Sequence, residues 1–76
     1  MRIEYDPEAD AAYIYVVEEI GAGGVAKTVM LDPAEGVGMI NLDFDDEGHL
    51  LGIEFLDASR HLTADVLGGS GPHRRT

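Results

Sequence analysis

A chain of 76 residues with no cysteine has room for one thin core, and it excludes disulfides, thiolate metal sites and a cysteine nucleophile. Its formal net charge of −10 is unevenly placed: residues 1–67 hold all 15 acids against Arg2, Lys27 and Arg60, a balance of −12. Such a surface repels phosphate backbones and anionic membranes, so neither nucleic acid nor membrane is expected as a partner, whereas a basic protein is compatible; the acidity also serves solubility alone. Apolar runs are short and broken by charge, and a charged segment follows Arg2, so neither a transmembrane helix nor a signal peptide is expected, and the default compartment is the cytoplasm.

The first predicted strand, residues 2–5, alternates, with Ile3 and Tyr5 on one face. "DPEAD" follows. Asp6 is placed to cap, Pro7 suits the first position of a helical turn, and Glu8 lies at the positive end of its dipole. Residues 12–17, "AYIYVV", read as a strand apolar on both faces, and residues 25–31 as a third strand. Asp32 and Pro33 then repeat the Asp6–Pro7 device with Ile40 in step with Ile14, and Asp32 and Glu35 stand in capping-box spacing before Gly36. Residues 37–43 and 49–56 complete five strands, the last with Leu51, Ile53 and Phe55 on one face. Short connections between the later strands favour antiparallel neighbours.

"DASRHLTADVLG" changes period: Asp57 or Ser59 is placed to cap, Ala58, Leu62 and Val66 form a stripe, and Gly68 closes a helix of about two turns. Residues 68–76 read as a flexible Gly/Ser tail beyond a single domain of residues 1–67. The expected fold is α+β: a small antiparallel sheet of four to five strands, mostly meander, with a short C-terminal helix packed on one face. One short helix cannot cover such a sheet, so a homodimer is expected.

Two segments carry a resemblance. Tyr5, Asp6, Glu8, Ala9, Asp10, Tyr13 and Ile14 form one, and Gly48, Gly52, Ile53, Glu54, Ala58 and Ser59 the other. Together they resemble a family of small prokaryotic domains of unknown function, DUF2283, over roughly residues 3–62. The resemblance implies a small single-domain protein and supplies no catalytic residue. It is compatible with an antitoxin-like partner of a basic protein.

Several constellations invite chemistry. In "DFDDEGHLLGIE", Asp43, Asp45, Glu47 and Glu54 fall at calcium-loop positions with Gly48 at the turn, but the flanks read as strands where an EF-hand needs helices. A hairpin with its turn at residues 45–48 is the preferred reading. Asp57, Ser59 and His61 lie too close along one helix start for a catalytic triad and read as caps and a partly exposed histidine. The three histidines, His49, His61 and His73, lack metal-ligand spacing. Tyr5, Tyr13 and Tyr15 suit packing at a sheet face or dimer seam. Glu54 is expected to face solvent or to pair with Arg2, Lys27 or Arg60. No pattern calls for a cofactor. The preferred function is a non-catalytic protein-binding module; the alternative is a small enzyme or divalent-metal domain using Asp6, Glu8 and Asp10, or Asp43, Asp45, Glu47 and Glu54.

Overall fold

β-Branched and aromatic residues alternating with polar ones place the strands, and acid-rich corners separate them. The computed structural model describes residues 1–32 and 38–68. Its strands are β1 (Arg2–Asp6), β2 (Ala11–Tyr15), β3 (Lys27–Leu31), β4 (Ile40–Phe44) and β5 (Leu50–Leu56), followed by two short helices, α1 (Ala58–His61) and α2 (Ala64–Gly68). The expected α+β architecture is present: one antiparallel sheet of five strands in the order β1-β2-β5-β4-β3. Two meander runs, β1-β2 and β3-β4-β5, are joined where β2 pairs with β5. The capping box at Asp32, Pro33, Glu35 and Gly36 falls largely outside the described residues, as does the tail beyond Gly68.

The register gives the sheet two unlike faces, because directly opposed residues point to the same side. On one face Ile3, Ile14, Ile53, Leu42 and Val29 form a row across all five strands. Tyr5, Ala12, Phe55, Ile40 and Leu31 form the row beside it. The opposite face carries Glu4, Tyr13, Glu54, Asn41 and Met30 in one row, and Arg2, Tyr15, Gly52, Asp43 and Thr28 in the next. β2 is therefore apolar on one side and phenolic on the other. A register shift at Asp43/Phe44 sets Asp43 opposite Gly52 but Phe44 opposite Leu50. Leu51 is the extra residue of this bulge; it is buried, and its carbonyl accepts from the N–H groups of Val16 and Val17.

The expected single helix is two. Leu62 is extended (φ −117°, ψ 145°) and ends α1 by donating its N–H to the Ala58 carbonyl. Thr63 then starts α2: its hydroxyl oxygen accepts the Val66 N–H (3.4 Å) and its carbonyl the Leu67 N–H (3.1 Å). The break rotates the Ala58–Leu62–Val66 stripe apart, so that Ala58 is fully buried while Val66 is 41% exposed. Asp57 precedes α1 but makes no side-chain cap, correcting that expectation. At φ 55° and ψ 51° it lies in the left-handed region, whereas a capping side chain reaches the first turn from an extended backbone.

Among the described residues the buried apolar positions are Ala12, Leu51 and Ala58, and no large side chain is fully buried. Ala58 seats α1 against β2 by donating its N–H to the Asp10 carbonyl (2.8 Å), while the His61 ring lies 5.9 Å from that of Phe55. Enlarging this contact, Ala58→Leu, is expected to lower stability by about 1–3 kcal/mol through overpacking. Urea unfolding should report it as a lower midpoint at unchanged slope, with a much smaller change for Val66→Ala.

Candidate functional site

The carboxylates divide into those that shape corners and those that lie on the polar face. Asp6 accepts the N–H groups of Glu8 (3.0 Å) and Ala9 (3.4 Å) through one oxygen and so closes the first corner. At the hairpin tip Asp45 does the same for Glu47 (2.9 Å) and His49 (2.8 Å). Gly48 supplies the positive φ of 87° there. The N–H bonds, that of His49 first, lower the Asp45 carboxyl below its ordinary value. His49 itself is exposed, with its Nδ1 3.4 Å from Asp45 and 3.7 Å from Glu47.

Asp10 makes the longest-range junction. Its backbone is left-handed (φ 53°), which turns its carboxylate toward the start of α1. One oxygen accepts the Tyr5 hydroxyl (2.8 Å) and the Ser59 N–H (3.0 Å), and the other accepts the Ser59 hydroxyl (2.7 Å). α1 is thus capped from 49 residues away. The Ser59 hydroxyl, and then that of Tyr5, lowers the Asp10 carboxyl, and the same bond raises the Tyr5 phenol.

On the polar face Tyr13 lies across Gly52, where any Cβ would run into its ring. Its hydroxyl donates to Asp43 (2.7 Å), whose other oxygen accepts from Thr28 (2.6 Å). Burial first, and then the Asp43 carboxylate, pushes the Tyr13 phenol up. Asn41 donates to Glu54 (2.9 Å), so of the two expectations, solvent or a cation, neither named the amide that this carboxylate meets. Tyr15 packs edge-on against Tyr13 (centroids 4.8 Å apart) and donates to Glu4 (3.3 Å). The Arg2 guanidinium lies 3.9 Å above the Tyr15 ring, with its Nε 3.7 Å from Glu4. Beside these groups an open dish of about 340 Å³ is lined by Glu4, Asp6, Ala11, Tyr13 and Glu54, among others.

The structure does not bring the sequence-derived acidic sets together. Asp6 holds its corner, Glu8 is exposed within it, and Asp10 addresses α1. Of the calcium-loop residues, Asp43 meets Tyr13 and Thr28, Asp45 closes the hairpin, Glu47 lies at its tip and Glu54 meets Asn41. Among the described residues no three His, Cys, Asp or Glu side chains converge as a metal ion requires. Asp57, Ser59 and His61 form no relay either. The Ser59 hydroxyl is spent on Asp10, and the buried Nε2 of His61 has no hydrogen-bond partner. The Asp57 carboxylate lies beside Gly38, where a Cβ would come within 2.7 Å of it.

Asn41, Thr28 and the Tyr13–Asp43 pair escaped sequence reasoning. Their signal was Gly52 inside an apolar strand, which marks a close approach by another group.

Fold and site define a small antiparallel α+β domain with one apolar and one phenol-and-carboxylate face. The family model described as a protein of unknown function (DUF2283) matches residues 2–59, and the chain belongs to that family. All thirteen residues of the two recognised segments lie within the match. The comparisons with curated proteins and with solved structures returned no match. No helix among the described residues is long and apolar enough to cross a membrane.

Two predictions follow from this geometry. Asp10 is more acidic folded than unfolded, so its contribution to stability is full above its ordinary value of 3.8 and is lost as pH falls through its lower folded value. Asp10→Asn should therefore be less stable than the parent at neutral pH, and the gap should close in acid; thermal melts from pH 7 to pH 2 measure it. Separately, Gly52→Ala should cost about 1–3 kcal/mol by displacing the Tyr13 ring. Combining it with Tyr13→Ala should cost less than the sum of the two, the non-additivity of groups in contact.

Proposed function

We propose that the domain is a non-catalytic protein-binding module whose carboxylate-and-tyrosine face takes a cationic segment of a basic partner, in the manner of an antitoxin-like protein. The observation that carries this reading is the open dish beside Tyr13, whose lining includes three acidic residues, Glu4, Asp6 and Glu54. Its charge and its aromatic wall suit a guanidinium or ammonium group and repel phosphate. The same face already holds a guanidinium of this chain, Arg2, between a phenol ring and a carboxylate. An acid–base or metal role draws no comparable support, since among the described residues no three His, Cys, Asp or Glu side chains gather as a metal ion requires.

A pull-down from the native host, using the immobilised domain at low and at high salt, tests the proposal. Capture of a basic protein at about 50 mM salt and its release at about 0.5 M are expected, because surface charge attraction is screened over that range. The double variant Glu4→Gln/Glu54→Gln, with an unchanged circular dichroism spectrum, should lose the capture. Finding no salt-sensitive partner, or undiminished capture by the variant, would overturn the reading.

A further inference from the structure

The face opposite the dish poses a separate problem. Its two rows are centred on Ile53 and Phe55 of β5, yet of their ten residues only Ala12 is buried. The helices leave this so: α1 is four residues long and buries Ala58 alone, and α2 buries no residue. Leu31 on the edge strand remains 43% exposed.

We infer that this face is a homodimer interface, covered in solution by the same face of a second copy. Charge singles out that occupant. None of the ten residues in the two rows is charged and only Lys27, at the start of the edge strand β3, brings a charge to that side of the strands, while the opposite face carries Arg2, Glu4, Asp6, Asp43 and Glu54. Two copies each at −10 approach with least repulsion through the uncharged rows, leaving their carboxylates outward. A cationic partner finds no complement there, and an anionic lipid surface is repelled by the chain as a whole. The two rows run across all five strands, roughly 20 Å at about 4.8 Å per strand, so the uncovered surface is continuous from one sheet edge to the other. A twofold contact is isologous, so Ile53 at the middle of the central strand lies near the axis, with the uncharged rows of the two sheets interdigitating about 10 Å apart. This inference rests on the apolar face and is independent of the partner proposed for the dish.

Size-exclusion chromatography with light scattering on the full chain at about 50 μM should give twice the 8.2 kDa chain mass. Leu31→Glu, at a position already exposed, should shift the mass toward one chain while the circular dichroism spectrum is kept; Met30→Glu on the opposite face should leave the dimer intact. The melting temperature of the parent should also rise with protein concentration, a readout that needs no variant. A mass of 8.2 kDa with a concentration-independent melt would overturn the inference. So would a dimer that Met30→Glu dissolves and a folded Leu31→Glu keeps. These outcomes leave the pull-down result untouched, so the two proposals fail separately.

Discussion

Asp10 gathers the two ends of the described chain at one carboxylate. Tyr5 of β1 donates to it from one side, and the N–H and hydroxyl of Ser59 donate from the other, while its own carbonyl receives Ala58. A four-residue helix cannot persist alone, since nucleating a helical turn costs more than its few hydrogen bonds return. Anchored at its first turn by a residue of the β1–β2 corner, α1 can bury Ala58 and bring His61 to Phe55. The left-handed backbone of Asp10 is what aims the carboxylate, so a local conformational cost supports a long-range contact.

A chain with 15 acids and five lysines and arginines cannot neutralise its carboxylates with cations, and residues of both sheet faces meet them with hydroxyl and amide donors. Each tyrosine donates to a carboxylate: Tyr5 to Asp10, Tyr13 to Asp43 and Tyr15 to Glu4. Thr28 and Asn41 do the same for Asp43 and Glu54. The register keeps acids from facing acids. Glu4 lies opposite Tyr13, Tyr13 opposite Glu54, Glu54 opposite Asn41, and Asp43 between Gly52 and Thr28. Directly opposed like charges would destabilise the ladder, so a phenol or amide between them lets a sheet carry this much negative charge.

What could be read from the sequence was what is local. Alternation located the strands, and the Asp6 and Asp45 corners followed from an acid placed two to four residues before the N–H groups it accepts. What lay hidden depends on distance or on backbone geometry. Nothing near Ser59 announces a cap 49 residues earlier, and nothing in "LDAS" announces that Asp57 would turn left-handed and give up that role. The helix break at Leu62 was half visible, because Thr63 is a good capping residue, but an apolar stripe running through Leu62 outweighed it in a reading by period alone. Glu54 was left between solvent and a cation because alternation gives its face without its neighbour, and the pairing of β5 with β4 supplied Asn41.

The two faces place different demands on a partner. On the phenol-and-carboxylate face the hydroxyl and amide donors already meet carboxylates, while the buried Oδ1 of Asn41 has no partner, so binding there competes with existing bonds and is governed by net field more than by new hydrogen bonds. On the apolar face Tyr5 spends its hydroxyl on Asp10, and the other nine row residues carry hydrocarbon side chains. Those rows gain by losing water, at roughly 25 cal/mol per Å² of apolar area removed. The thin sheet thus holds uncovered apolar rows on one side and carboxylates with their hydroxyl and amide donors on the other.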